Sequence, residues 1–330
     1  MLLTAAIFAC SAGAIAHAQH SDTAAPKRTA PLFSFHSNFW INLHQCLVHE
    51  ALLKLGKPDR RLQSSVPLAA TGMNDKEESA WKNAVSFYTS RFGVRQELFD
   101  DEMVRINNSL AQQGDDGSSL NATDIPAEVA AVLRNAAPVY RKYWWAGHDR
   151  ENKNWIGSQL ARVNELGAQI AAAMEKDLRQ SWPAASIRVD VCYYVPEIGH
   201  AYTTTDPAHT TFSSSAPSLE GLSGFETLFH EASHSFSDKM SDALSAECSA
   251  QKKQCGDLWH AVLFYTPGVE VRRALPSDEP TFTPYAYKYG LYTRGEWPKY
   301  RAVLEKDWQP YLDGKTDFAS AIHAMAADLR

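Results

Sequence analysis

Apolar residues recur with helical spacing through the first half of the chain. The clearest case is the segment 154–180, whose apolar stripe consists of Ile156, Leu160, Val163, Leu166 and Ile170. Intervals of three and four place such residues on one face of an α-helix. The same spacing predicts helices over residues 35–55, 77–112 and 126–145, so this half of the chain is predicted to be helical.

The pattern changes near residue 187. Residues 187–195, Ile-Arg-Val-Asp-Val-Cys-Tyr-Tyr-Val, alternate and are rich in β-branched and aromatic types, which is typical of a strand. Residues 200–205 and 210–214 predict two shorter strands, joined by a turn at Asp206-Pro207. Helical spacing returns from Ser223 to the end. The predicted fold class is therefore α+β, mostly helical, with a small mixed β-sheet that precedes the helix at Ser223.

The first residues have the pattern of an export signal. Residues 2–16 are mostly apolar or small and carry no charge, and Ala16-His17-Ala18 then offers a small-x-small cleavage site. Lipidation of Cys10 is the less favoured alternative, because Phe8 fits that type of signal poorly. The predicted location is secreted or periplasmic, with cleavage near Ala18. The predicted division of the chain is a signal peptide at 1–18, a linker at 19–31, a helical N-terminal region at 32–183 and a C-terminal region at 184–330.

The charge and hydropathy of the chain argue against a nucleic-acid partner and against a membrane span. The chain has 330 residues and a formal net charge of −6 at pH 7, whereas nucleic acid is bound by basic surfaces. The apolar run at the N-terminus is short for a membrane span. We therefore expect neither a nucleic-acid partner nor a membrane span. No oligomeric state is indicated.

The cysteines permit a disulfide. Cleavage of the signal peptide would leave four of the five cysteines: Cys46, Cys192, Cys248 and Cys255. An even number in an exported chain is compatible with disulfides. Cys248 and Cys255 flank a short polar stretch, which makes a local bridge between them plausible. Four free or buried thiols are the alternative.

Residues 230–234, His-Glu-Ala-Ser-His, contain the pattern H-E-x-x-H. Ser223 and Glu226 have capping-box spacing, which predicts a helix start just ahead of the motif. On that helix, His230 and His234 lie one turn apart on the same face and can bind one Zn²⁺. Glu231 lies beside them and can accept a proton from water that the metal activates. The alternative is a capped helix whose two histidines make ordinary hydrogen bonds.

Two residues compete to be the third metal ligand. His260 lies in an apolar stretch, where a buried ring must satisfy both of its nitrogens, and a metal can satisfy one of them. Glu270 follows Pro267-Gly268 and could instead be an acid in the first turn of a restarted helix. A more exposed acid, Glu247, is expected to be solvated. The site is therefore predicted as His230, His234 and His260, with Glu270 as the alternative third ligand.

Further residues have weaker indications of a role. Asp238, one turn after His234, could orient that imidazole through a hydrogen bond. The segment 285–294, Tyr-Ala-Tyr-Lys-Tyr-Gly-Leu-Tyr-Thr-Arg, could supply a phenol or a cation that stabilises an oxyanion. For both, ordinary surface or packing roles are the alternative.

Over residues 187–237 the chain resembles the zincin metallopeptidases, in which the H-E-x-x-H helix follows a small sheet. The resemblance implies that 184–330 is a zincin-like catalytic region and that an edge strand near 200–214 binds the substrate backbone. The metzincin extension is absent, since Ser235-Phe236-Ser237 follows His234. A gluzincin-like arrangement, with a distant third ligand on a later helix, is therefore closer. The sequence around Trp40 and Trp259 also resembles exported bacterial proteins of unassigned function.

These patterns together predict an exported zinc-dependent peptidase. One Zn²⁺ would be the cofactor, Glu231 the general base, and a peptide or protein the substrate. Two alternatives stay open at this point. One is a zinc hydrolase of a non-peptide amide or ester, and the other is a non-catalytic exported zinc-binding protein.

Overall fold

Four strands form one small sheet in the computed structural model, which describes residues 30–57, 68, 72–93, 95–121, 123–196, 198–205, 207–276 and 282–329. The strands are β1 (Phe33–His36), β2 (Ile187–Cys192), β3 (Ala201–Thr205) and β4 (Ala208–Ser213). Their order across the sheet is β1-β2-β4-β3. β1, β2 and β4 run parallel, and β3 is antiparallel to β4. The predicted small mixed sheet is confirmed, and β3 lies at its edge.

Helices surround this sheet and make up most of the described chain. Five precede β2: α1 (Phe39–Lys54), α2 (Asp75–Arg91), α3 (Asp101–Ala111), α4 (Ala127–Tyr140) and α5 (Ala146–Asp177). Seven follow β4: α6 (Gly221–Ser233), α7 (Asp238–Ala250), α8 (Leu258–Ala274), α9 (Tyr285–Lys288), α10 (Trp297–Val303), α11 (Gln309–Leu312) and α12 (Phe318–Asp328). The α+β, mostly helical fold class is therefore confirmed.

The structure corrects the predicted helix over residues 35–55. Residues 33–36 form strand β1, and the helix begins only at Phe39. Asn38 caps α1 because its side-chain oxygen accepts hydrogen bonds from the backbone N–H groups of Trp40 and Ile41. The apolar run before this cap pairs in parallel with β2.

Two other predicted helix boundaries are wrong. The segment 77–112 is not one helix but α2 and α3, separated by a 3₁₀ turn at Glu97–Phe99 and by the capping residue Asp100. Conversely, no break separates the predicted helices 126–145 and 154–180. A π-helical turn at Arg141–Trp145 joins α4 directly to α5.

The sheet spans both predicted regions of the chain, because β1 from the first pairs with β2 from the second. A side chain of α1 reinforces this pairing. The amide of Asn42 donates to the carbonyl of Val191 at 3.1 Å, across 149 positions of sequence, and its oxygen accepts from the N–H of Tyr193 at 3.0 Å. Helix α1 is thus fastened to β2, one of the two inner strands of the sheet.

Helix α6 lies in the middle of the molecule. It packs against the edge strand β3 on one side and against α5 and α8 on others. Gly167 of α5 faces this packing: a Cβ atom there would crowd the Leu32 side chain at 3.0 Å and would be in ordinary contact with the Phe229 ring of α6 at 3.8 Å. This packing buries every residue of α6 from Ser223 to Ser233.

The predicted local disulfide is confirmed, since Cys248 and Cys255 are bonded. The bridge joins the end of α7 to the segment that leads into α8. Cys46 and Cys192 are buried, free thiols. The predicted signal peptide and most of the predicted linker lie outside the described residues. No helix in the described part of the chain combines the length and the apolar character that a membrane crossing needs.

Candidate metal centre

Helix α6 carries the H-E-x-x-H motif, but the predicted capping box does not start it. The helix begins at Gly221 and has no side-chain cap. Ser223 accepts a hydrogen bond from the Lys288 ammonium at 3.0 Å, and Glu226 accepts one from the backbone N–H of Tyr285 at 2.7 Å. Both residues are therefore engaged by the segment around α9 rather than by the end of their own helix.

Three imidazoles converge at the C-terminal end of α6. His230 lies in its last turn, His234 is the residue that ends it, and His260 comes from the first turn of α8. The ring centroids are 5.1 Å apart for His230 and His234, 5.3 Å for His230 and His260, and 5.2 Å for His234 and His260. One ring nitrogen from each histidine lies within 4.8 Å of the other two. The three rings thus form a nearly equilateral group.

This group fits a single metal ion. Nitrogens bound to one tetrahedral zinc at about 2.1 Å lie about 3.4 Å apart, so small side-chain rotations bring all three into range. Imidazole is a preferred ligand of zinc and of several other transition metals. The donor set therefore supports a site for a divalent transition-metal ion.

The residue that joins His230 and His234 in this group is His260, and not Glu270. Both residues lie on α8, but ten positions along a helix correspond to about 15 Å. Glu270 is buried instead against Arg273, whose guanidinium donates to its carboxylate at 2.6 Å, and the carboxyl of Asp177 lies beside it. Its carboxylate is consequently engaged in a separate polar cluster.

A hydrogen bond fixes the orientation of His230. Its Nδ1 atom lies 3.0 Å from the backbone carbonyl oxygen of Leu263 in α8. Because a carbonyl oxygen only accepts, Nδ1 carries the proton, and the lone pair is on Nε2. The ring of Phe264 stacks on the imidazole, with centroids 3.6 Å apart and an angle of 20° between the planes. Contacts from α8 therefore set both the tautomer and the plane of His230.

Burial keeps the three imidazoles in their neutral form. It holds the pKa of His230 well below its usual range, and the neighbouring His234 and His260 lower it further. Burial also lowers the pKa of His234 to about 3 and that of His260 to about 4. Neutral rings with free lone pairs are the form that binds a metal.

Glu231 lies beside the imidazoles with its two oxygens in different surroundings. Oε2 accepts a hydrogen bond from the Thr203 hydroxyl of β3 at 2.8 Å. Oε1 lies 4.0 Å from Nε2 of His230, the nitrogen that carries the lone pair. Burial raises the pKa of this carboxyl to about 7, and the hydrogen bond from Thr203 opposes that rise. A carboxyl group with a pKa near neutrality can exchange protons efficiently at that pH.

Aromatic rings line the side of the group formed by α8 and α10. Trp259 stacks on His260 with centroids 5.2 Å apart, and Trp297 lies 6.0 Å from the same ring. Phe264, which stacks on His230, also lies near Trp297, with ring centroids 5.7 Å apart. Trp259, Phe264 and Trp297, here called the aromatic wall, are each partly exposed.

The predicted role of Asp238 is not borne out by the contacts. Asp238 does not follow His234 on one helix face, because α6 ends at Ser233 and Asp238 begins α7. Its carboxylate instead lies 3.5 Å from the Gln180 amide. Glu247, as expected, lies away from the three histidines and accepts a hydrogen bond from His323.

The predicted oxyanion segment is divided between several structural roles. The phenol of Tyr287 donates to Glu305, and Arg294 donates to the carbonyl of Tyr289. Tyr285 packs near Phe264, with ring centroids 6.0 Å apart, and Tyr292 packs near Trp297 at the same distance.

Sequence patterns did not reveal Thr203 or the Leu263 carbonyl as parts of the site. Thr203 lies in a predicted strand, but the strand pattern alone does not tell which neighbour faces the motif. The carbonyl has no side-chain signature. A proline four positions later was the available signal, because proline removes the N–H that would bond to that carbonyl.

In comparisons with models of protein families, with curated proteins and with solved structures, no match was found for this chain.

Proposed function

We propose that this protein is an exported zinc-dependent peptidase. One observation carries the proposal: three neutral imidazoles converge on one point, and the free oxygen of Glu231 lies 4.0 Å from the metal-facing nitrogen of His230. A purely structural metal site has no use for an adjacent carboxylate of this kind. The combination is that of a metal-assisted hydrolase.

His230, His234 and His260 would hold the metal. Three protein ligands leave a fourth position of a tetrahedral ion open, which is the usual arrangement of catalytic zinc sites. The chemistry that zinc supplies in such a site is activation of water and polarisation of a carbonyl group. Because the imidazoles are neutral, the charge of the bound ion would not be cancelled by its ligands.

Glu231 is assigned the proton transfers. The hydroxyl of Thr203 holds Oε2, which leaves Oε1 free to accept a proton from the attacking water. The same oxygen can then deliver that proton to the nitrogen of the departing amine. In this scheme the amide bond breaks, the acyl carbon gains a hydroxyl group, and the carboxylate of Glu231 is regenerated.

The surroundings of Glu231 favour a peptide as the substrate. β3 is an edge strand and carries Thr203, so an extended chain that pairs with β3 would pass next to the carboxylate. Addition of a strand to a sheet edge is a common mode of peptide recognition, although only Thr205 of β3 is exposed. The aromatic wall beside the histidines offers apolar contacts to a substrate side chain.

Two observations support export. The first residues have a signal-peptide pattern. The Cys248–Cys255 bridge belongs to the class of bond that persists in oxidising compartments outside the cytosol.

Replacement of Glu231 tests the proposal. Purified wild-type protein and Glu231→Gln are loaded with zinc and incubated with a peptide library, and new termini are identified by mass spectrometry. We expect cleavage to fall by about 10²–10⁴-fold in the variant with its zinc content unchanged. Glu165→Gln, an exposed acid on α5, is the matched control and should cleave like the wild type.

Three outcomes would count against parts of the proposal. Equal cleavage by Glu231→Gln would remove the general-base role. Zinc-loaded wild type that hydrolyses esters or small amides but no peptide would change the substrate class. Zinc-loaded wild type without hydrolytic activity towards any of these compounds would leave a non-catalytic metal-binding protein.

A further inference from the structure

Helix α8 contains a proline at an interior position. Pro267 lies ten residues into a helix that runs from Leu258 to Ala274. A proline has no backbone N–H, so the carbonyl four residues earlier loses its helical donor, and the ring also pushes that carbonyl away. The carbonyl in question is that of Leu263.

The freed carbonyl has a new donor in a different helix. The Nδ1–H group of His230, on α6, lies 3.0 Å from the Leu263 oxygen in a buried environment. An unpaired buried carbonyl would cost about 1–3 kcal/mol, and this contact avoids that cost. The proline within α8 and the orientation of His230 are therefore linked through the carbonyl of Leu263.

The position of this carbonyl matters because the same helix supplies another member of the group. His260 precedes Leu263 by three residues, which is slightly less than one turn. One rigid turn of α8 thus presents a candidate ligand, His260, and the group that orients a second one, His230. Phe264, the next residue, stacks on the His230 ring and prevents it from rotating out of that plane.

We propose that Pro267 is a positioning residue for the metal site. By removing the competing N–H, it reserves the Leu263 carbonyl for His230 and so selects the tautomer whose Nε2 faces His234 and His260. This inference rests on the proposed metal-binding function. It concerns how the ligand is held, and Pro267 itself touches neither metal nor substrate.

The variant Pro267→Ala tests the inference. Alanine restores the N–H and lets Leu263 bond within its own helix. We expect zinc affinity, measured by competition with a chromophoric chelator, to fall about 10–100-fold, as for loss of other partners that orient a metal ligand. We also expect the ¹⁵N spectrum of the metal-free protein to change from a single Nδ1–H tautomer of His230 to a mixture of the two tautomers.

Pro138→Ala is the matched control. Pro138 is likewise interior to a helix, α4, but it is exposed and belongs to the N-terminal helices. This variant should leave both the zinc affinity and the tautomer of His230 unchanged. If Pro267→Ala behaves like Pro138→Ala in both measurements, Pro267 has no positioning role.

A measurement on the wild type keeps the test decisive if Pro267→Ala does not fold. The His230 ring in metal-free wild-type protein should show a protonated Nδ1 and an unprotonated Nε2. The opposite tautomer would overturn the inference while leaving the metal site intact. Wild type that binds no zinc at all would overturn the metal site itself, and a protonated Nδ1 would then report only a structural contact with Leu263.

Discussion

The hydroxyl of Thr203 donates to Oε2 of Glu231 over 2.8 Å, so the edge strand of the sheet holds the carboxylate of the motif directly. Thr203 is itself fixed by Thr210 of β4, whose hydroxyl lies 3.0 Å away. The two threonines are register partners and therefore share a face of the sheet. The sheet and the motif helix are thus coupled through one carboxylate.

Thr203→Val should lower kcat for peptide cleavage by about tenfold, because a buried carboxylate that loses a hydrogen bond is both less well oriented and less stable. Zinc affinity should stay unchanged, since the three histidines are untouched. Steady-state kinetics and chelator competition measure the two quantities. Thr203→Ser, which keeps the hydroxyl, should restore most of the rate. Equal losses in both variants would mean that the hydrogen bond from the hydroxyl does not by itself account for the effect of this position on the rate.

Substitutions of His260 and of Glu270 should have different effects on zinc affinity. His260→Ala should weaken zinc binding by more than about 100-fold, beyond the effect of losing an outer partner. Glu270→Gln should leave affinity essentially unchanged, because Glu270 is engaged with Arg273 and Asp177. Isothermal titration of the metal-free proteins compares them. A large loss in the glutamine variant, with none in the alanine variant, would contradict the arrangement of α8.

Glu226 should make the protein lose stability as the pH rises from about 4.5 to about 8. Burial raises the pKa of this carboxyl to about 8, while the bond from Tyr285 and the charges of Arg272 and Lys288 act in the opposite direction. A carboxyl whose pKa is higher in the folded state stabilises the fold below its unfolded pKa, near 4.5. That stabilisation is lost as the pH rises through about 8.

Urea unfolding of wild type and Glu226→Gln between pH 5 and pH 8 checks this sign. The wild type should lose more free energy of unfolding over this range than the variant, which cannot ionise at this position. Other buried carboxyls, such as those of Glu50 and Asp177, affect both proteins equally. Parallel curves for the two proteins would show that Glu226 does not titrate in this window.

The Cys248–Cys255 bridge should contribute about 2–3 kcal/mol to the free energy of unfolding, the amount expected when a loop of this length is closed in the unfolded chain. The double variant Cys248→Ala/Cys255→Ala should show this loss in denaturant unfolding under non-reducing conditions. A reducing agent should destabilise the wild type by a similar amount and leave the variant unaffected. Identical unfolding midpoints for all samples would mean that the bridge does not stabilise the fold.

Sequence patterns predicted those helices and strands whose residues show clear helical spacing or alternation. The strands β2, β3 and β4 and the helix of the motif all have clear alternation or helical stripes. β1 was missed because four residues contain little periodicity, and their strand form comes from pairing with β2 far along the chain. The capping box failed for a related reason. Ser223 and Glu226 have the right spacing, but tertiary partners from the α9 segment use both side chains.

The choice between His260 and Glu270 shows the same limit of local sequence patterns. His260 and Glu270 lie on one helix, and both had a sound chemical argument. The choice depends on which turn of α8 lies against the end of α6, and that is a property of helix packing. Residues within the motif needed no such information, because the helix itself puts His230 and His234 on one face.

The joining of β1 to β2 has a consequence for how the protein folds. Next to this pair, the bond between Asn42 of α1 and Val191 of β2 spans 149 positions of chain. During synthesis, the N-terminal helices can form early from local contacts, while β1 has no partner until β2 has been made. Contacts so distant in sequence slow folding, since a long loop must close before they form. We therefore expect closure of the sheet, and not helix formation, to limit the folding rate, and β1 to be the edge that needs protection from aggregation until then.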